Sequence, residues 1–533
     1  MQLIDKINEK KYCSIFNEVL GPIMVGPSSS HTAGPTRIGK FTGSLVGGVV
    51  KEAKIIFDEN GSYPLTYRGQ GSDRGFLSGL LGYETSDERI RDAYKYAKME
   101  FAYELIFEDL DATHPNTARI DVESEFGIHH IVDSHSTGGG MFEIVGIDGF
   151  DVSSKGDFHE LFVFAECSGN AEDSVKEVAE AKLGNYELIK VVQNGKCLIH
   201  IKTDKKIDEA AMEEMRMIGD VAEVAYVEPI LVSPSQIKVD IPFYNATEAY
   251  EYGEKNNFEF WELGLRYEMA RSGLSEDKLF EIMGEVYDAM KRSAEIGMSG
   301  DINMQGYLSP SAHKIIKAKE KGSLMDAGLI NTATVWAVGV MEMNSAIGAI
   351  VAAPTAGSAG VIPGSIIGAG LEIGLTKKEI CKAMFAAATV GIFIQHQATF
   401  AAEVAACQAE NGSASSMAAA GVVHMIGGTM DQSFKAAALA LQNLLGLVCD
   451  PIAGLVDIPC INRNAVSAAN SIVSANMVVG GFDPYVPLDE VIQAMANVGA
   501  ALPASLRCTG GGGLCTTKTG IRIKKRFSET GPQ

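Results

Sequence analysis

Apolar residues recur along this chain with three different periods, and the changes of period divide it. From residue 1 to about 157, short alternating runs such as KEAKIIFDEN and FEIVGI predict strands between helical pieces, giving an α/β or α+β domain. From 158 to 232 the order is clearer. HELFVFAE reads as a strand, AEDSVKEVAEAKLG as a helix, YELIKVVQNGKCLIHIKT as a hairpin turning at Asn194-Gly195, DEAAMEEMRMIG as a helix and VAEVAYVE as a strand. That βαββαβ order predicts a ferredoxin-like unit. After a linker carrying Pro234, Pro242 and Asn245, residues 246–520 follow the helical period with heavy Ala, Gly and Met usage. Helices are expected near 260–272, 276–297, 309–321, 331–343, 377–395, 413–427, 431–446 and 487–499. The stretches 384–402 and 411–430, which contain no Lys, Arg, Asp or Glu, should be interior.

Composition narrows the function classes. The chain has 533 residues, 46% hydrophobic and 21% charged, and a net charge of −22. It is globular and too long for one core. Its acidity argues against nucleic acid, because phosphate binding is driven by Lys and Arg. Met343–Leu371 has no charged residue, but Pro354, Pro363 and several glycines make it a buried segment rather than a membrane span. Nine scattered cysteines form no disulfide framework, and MQLIDKINEKKYCSIF lacks the apolar run of a signal peptide, so a cytoplasmic protein is expected. A homodimer is the default assembly for such a chain.

Three stretches carry candidate chemistry. In GPIMVGPSSSHTAGPTRIG, residues 21–39, hydroxyls and one imidazole crowd a loop that should lead into a helix near Arg37. Such a loop can cradle a carboxylate, and His31 could take a proton; an N-cap and turn cluster with a structural histidine would look the same. RGQGSDRG (68–75), HPNT (114–117) and SHSTGGG (134–140) combine glycine with polar side chains, each an ordinary turn by itself. APTAGSAGVIPG (353–364) denies itself a helix among apolar helices, as either a ligand-binding loop or a tight internal turn.

Cys407, Cys449 and Cys460 form the third. Cys449 precedes Asp450-Pro451 and Cys460 follows Pro459, turn-forming settings from which a thiolate can project. No CxxC pair accompanies them, so closed structural zinc is a poor fit. Three thiolates can hold an iron–sulfur cluster with one iron open to substrate, whereas three buried cysteines would also serve as small apolar residues.

Taken together, GPSSSHTAGP, APTAGSAGVIPG, the cysteine spacing and CDPIAGLVDIPCINRN resemble the iron–sulfur-dependent L-serine dehydratases over about residues 12 to 515. The resemblance implies a multidomain α+β protein: an α/β serine dehydratase β domain at 1–157, an ACT-like ferredoxin-fold unit at 158–232 and an all-α catalytic domain at 246–520. It implies that Cys407, Cys449 and Cys460 hold a [4Fe-4S] cluster whose open iron takes the hydroxyl of L-serine. Ser28, Ser29, Ser30, His31 and Thr32 match one side of the substrate pocket, and Thr355, Ala356, Gly357 and Ser358 the other, in a site between domains. His31 is the expected base, and oxygen sensitivity is expected. L-threonine or L-cysteine are alternative substrates.

Four further features bear on this resemblance. The ACT-like unit carries its usual glycine only loosely, as Ser168-Gly169-Asn170, and could bind an amino acid or serve as a linker or dimerisation module. An amino-acid-binding regulator with an inactive catalytic half is a further alternative, which the intact His31 and cysteines oppose. Some family members end in a cysteine that caps the open iron; this chain ends in KTGIRIKKRFSETGPQ, so a tail ligand is not expected. CTGGGGLC (508–515) imitates the phosphate loop of pyridoxal-phosphate serine dehydratases but lacks that family's upstream lysine setting.

Overall fold

The computed structural model describes residues 12–167 and 170–530; Ser168 and Gly169, and with them most of the loose glycine signal, lie outside the described residues. The fold is mixed α+β and divides into two compact units, one of Ser30–Asp240 and one joining the chain up to Ser29 with Ile241 onward. The described segment Tyr12–Ser29, grouped by sequence with the first domain, therefore packs in the helical unit. The reason is apolar: Ile15, Phe16 and Val19 are buried in the helical core, and the strand β1 (Ile23–Val25) pairs antiparallel with Ala349–Val351.

In the unit Ser30–Asp240, six strands follow: β2 (Val50–Asp58), β3 (Ala102–Glu108), β4 (Thr117–Ser124), β5 (His129–Gly138), β6 (Met141–Ile147) and β7 (Phe150–Ser154). They form one sheet in the order β3-β2-β4-β5-β6-β7, antiparallel except for β2 with β3. Alternation sets one buried face, with Ala118, Ile120 and Val122 inward on β4. Helices Gly34–Leu45 and Ser72–Leu80 belong to this unit.

The four strands β8 (His159–Glu166), β9 (Tyr186–Gln193), β10 (Lys196–Thr203) and β11 (Val221–Val227) pair in the order β11-β8-β10-β9, with helices Ala171–Lys182 and Glu209–Arg216 as crossovers. This is the ferredoxin-like arrangement. Its hairpin turns at Asn194 and Gly195, both at positive φ (52° and 82°), the left-handed backbone that a two-residue turn requires. The two sheets share a core in which Phe41 packs edge-on against both Phe142 and Phe162.

They also share a buried charge. His130 of β5 bonds Asp148 (2.7 Å) and Glu223 of β11 (3.0 Å). Burial alone would lower its pKa, but the two carboxylates outweigh it and push the imidazole up to about 9. A raised histidine pKa stabilises the fold fully below the unfolded value of about 6.5 and stops doing so as pH rises through about 9. The thermal midpoint of this unit is expected to fall across that window by the equivalent of at most about 3 kcal/mol. His130→Gln should flatten this dependence in calorimetric scans at successive pH values; an unchanged slope would remove the assignment.

The helical unit is built around Lys377–Gln397 and Ser413–Met425; Ser413–Met425 and the first of these from Met384 onward carry no Lys, Arg, Asp or Glu, which matches their burial. Thr376 and Glu379 start the first with a capping box. The remaining long helices are Ala246–Asn256, Phe260–Ser272, Glu276–Ser299, Ala312–Glu320, Leu329–Ser345, Met430–Gln442, Cys460–Val479, Leu488–Ala501 and Lys518–Thr530. The last strand, β12 (Ala349–Val351), is the partner of β1. Two local expectations are corrected. Val361 already begins a helical run that continues through Pro363–Gly368, because proline is tolerated in a first turn. Cys460 is the first residue of its helix, with Pro459 as N-cap, rather than part of a loop. Among the described residues no helix is long and apolar enough to cross a membrane.

Candidate functional site

In the helical unit, three backbone irregularities meet. Cys407 caps a wide helical turn at Gln408–Gly412, Cys449 lies in an isolated bridge with Arg507, and Cys460 opens its helix. All three thiols are buried, at 2%, 3% and 7% exposure. The sulfurs of Cys407 and Cys449 and a carboxylate oxygen of Glu410 lie within 4.8 Å of one another. Cys508 joins them through its hydrogen bond with Cys449.

Hydrogen bonding with Cys407 and Cys508, then burial, holds the Cys449 thiol well above its ordinary pKa, and burial does the same for Cys460. Such thiols ionise readily only when a cation shares the space. Arg463 supplies part of one: its guanidinium donates to Cys407 Sγ (3.7 Å) and to the Val448 carbonyl (2.8 Å), and pairs with Asp450 (2.9 Å). Several soft sulfur donors in a buried pocket that penalises bare thiolates fit an iron–sulfur centre better than a hard-cation site.

The 353–364 loop is tied to this centre. Thr355 Oγ1 donates to Glu410 (2.6 Å), Asn464 Nδ2 donates to the carbonyls of Gly357 (2.7 Å) and Cys460 (2.9 Å), and Asn464 Oδ1 accepts from Gly360 N (2.9 Å). Ser29 reaches the same loop by accepting from Ala356 N (3.4 Å), and Asn344 Nδ2 bridges the carbonyls of Pro27 and Ala356. Ser358 is engaged locally, in the Thr355 capping box and with the Ala353 carbonyl. Ser28 is buried beside these residues in sequence, at 8% exposure.

Gly357 faces Glu410 so closely that a Cβ would stand 2.6 Å from Oε1. Gly357→Ala is therefore expected to displace the carboxylate and to cost activity at least about tenfold, as small misplacements at reacting centres do. Steady-state kinetics with circular dichroism checks it; wild-type rates would show that the loop yields.

Withdrawal of the carboxyl from water, with the nearby Glu403 charge, pushes Glu410 up to about 7 against the lowering effects of Thr355, Cys407 and Arg463. CTGGGGLC has a structural task here: Leu514 N donates to Asp450 (2.8 Å) and Cys515 Sγ to the Pro451 carbonyl (3.1 Å), so the glycines close over the Cys449 turn.

In the unit Ser30–Asp240, the scattered polar loops converge on His31. Its Nδ1 is 2.9 Å from Ser30 Oγ and its Nε2 is 3.1 Å from Ser62 Oγ, and its ring stands edge-on to Tyr63. RGQGSDRG enters where Thr32 Oγ1 donates to the Gln70 carbonyl (2.6 Å). HPNT enters where Ser62 N donates to the Pro115 carbonyl (2.7 Å), and SHSTGGG where Ser136 Oγ donates to the Ser30 carbonyl (2.7 Å). Arg37 Nη1 fixes the glycine end at Gly140 O (2.7 Å). The imidazole is thus buried and held at both nitrogens.

Glu410, Arg463, Asn464, Asn344 and Ser62 were not singled out as site residues from the sequence, and Cys508 only as part of CTGGGGLC. Glu410 could have been: it is the last charge before the charge-free run 411–430.

Comparison with known proteins agrees with this arrangement. Residues 14–144 match the serine dehydratase beta chain family and residues 255–515 the serine dehydratase alpha chain family. The probable L-serine dehydratase alpha chain of Bacillus subtilis is 37% identical over 54% of this chain and 95% of its own length. L-serine dehydratase 1 of Escherichia coli is 27% identical over 92% of this chain and 96% of its own. L-serine dehydratase of Helicobacter pylori (strain J99 / ATCC 700824) is 27% identical over 93% and 97%. The chain belongs to the serine dehydratase family. It carries the beta-chain and alpha-chain parts on one polypeptide.

Proposed function

We propose that this protein deaminates L-serine to pyruvate and ammonia, with a [4Fe-4S] cluster held by Cys407, Cys449 and Cys460. The observation that carries the reading is the buried grouping of cysteine sulfurs with Glu410 in a chain of the serine dehydratase family. When bound, such a cluster supplies Lewis acidity at an iron free of protein ligands, which helps hydroxide depart.

The chain's own residues supply the rest. His31, kept in one orientation by Ser30 and Ser62, is the base for the weakly acidic Cα proton. Ser28, Ser29, Ser30 and Thr32, with Thr355, Ala356, Gly357 and Ser358, are the proposed substrate-binding set; hydroxyls and backbone N–H groups of these stretches receive the substrate carboxylate. Elimination gives aminoacrylate, which water converts to pyruvate and ammonia.

A cytoplasmic setting suits nine cysteines that all remain unpaired, and a homodimer is the assembly proposed. The test is specificity: kcat/KM of the anaerobic protein for L-serine, L-threonine and L-cysteine. L-serine should be preferred. Preference for either other amino acid would keep the lyase chemistry and replace the substrate.

A further inference from the structure

We propose that Glu410 is the acceptor for the substrate's α-ammonium group. This rests on the reading of the chain as an amino-acid lyase and specifies one contact within it.

An amino acid presents three groups: a carboxylate, a leaving group and an ammonium. The hydroxyl-rich stretches suit the first and the sulfur-rich centre the second. The ammonium requires an acidic acceptor, and most buried acids of the helical unit are committed elsewhere. Asp450 pairs with Arg463 and accepts from Leu514 N, and Asp457 bonds Ser345 and Tyr307 N. Glu342 caps the helix at Ala312, and Glu268 holds Arg271 and Ser14.

Glu410 differs in three respects. Unlike Asp450 and Glu268 it has, among the described residues, no ion pair with Lys or Arg. It retains partial exposure although Cys407, Gln408 and Ala409 before it and Asn411 and Gly412 after it are buried. Its two oxygens are also unequal. Oε1 accepts from Thr355, whereas Oε2 has the Cys407 thiol at 3.7 Å. Among the described residues no N–H or O–H group donates to Oε2, and a thiol is a weak donor. A cationic N–H donor at that position would satisfy the oxygen with a charge-assisted bond. The adjoining Gly357, where a side chain would collide with the carboxylate, keeps room beside it.

The test uses full-length Glu410→Gln, purified anaerobically, with iron and sulfide content, KM for L-serine and the inhibition constant of 3-hydroxypropanoate, which is serine without its ammonium. The expected result is unchanged iron and sulfide, a KM raised about 10–100-fold as for a lost charge-assisted hydrogen bond, and 3-hydroxypropanoate inhibition altered less than about threefold. Equal weakening of both compounds would overturn the proposal, since the loss would not depend on the ammonium. Loss of iron would overturn it in favour of a ligand or scaffold role, and a collapse of kcat at constant KM in favour of a proton-transfer role. If the wild type itself neither holds iron nor consumes serine, it is the proposed function that fails.

Discussion

Replacing Cys449 with serine is expected to remove both bound iron and pyruvate release from L-serine while leaving the helical content intact. The side chain is 3% exposed, and its backbone is fixed from both sides, with Cys449 N donating to Leu506 O (2.9 Å) and Cys508 N to Cys449 O (3.0 Å). Serine has nearly the same shape, so the turn should survive. Its hydroxyl, however, is a hard and reluctant ligand at neutral pH. Affinity for the cluster should fall by more than the ~10–100-fold typical of changes to groups behind a ligand. Iron assay, circular dichroism and turnover together check this. Retained iron with retained turnover would mean that Cys449 is only a core residue.

His31→Gln should lower kcat by about 10²–10⁴-fold, the usual contribution of a positioned base. Glutamine can still exchange hydrogen bonds with Ser30 and Ser62, so packing against Tyr63 should be little altered. Iron and sulfide should stay at wild-type levels, because the three proposed ligands are untouched. This separates the two variants: one loses its metal and the other only its rate. A kcat within threefold of wild type would assign the Cα proton to another group.

Much of the fold was legible because its signals are local. The helical periods at 260–272 and 377–395, the Asn194-Gly195 turn and the βαββαβ order all depend on neighbours in sequence, and the observed elements follow them closely. What sequence left hidden depends on long-range contact. Tyr12–Ser29 precedes an α/β region, yet its apolar residues belong to the core of a unit that resumes at Ile241. Nothing in RGQGSDRG, HPNT or SHSTGGG says that all three surround one histidine; backbone carbonyls accepting from Thr32, Ser62 and Ser136 bring them there. Ser62 was invisible for the same reason, being an ordinary serine until Nε2 of His31 is seen beside it. Glu410 was hidden for the same reason, its place in the centre being set by the distant Thr355 and Cys449.

The central claim is best tested on the wild-type protein purified without air, by iron and acid-labile sulfide assays combined with pyruvate release from L-serine before and after exposure to oxygen. About four irons and four sulfides per chain, with activity lost in air, is the predicted result. Serine turnover by protein free of iron would contradict it.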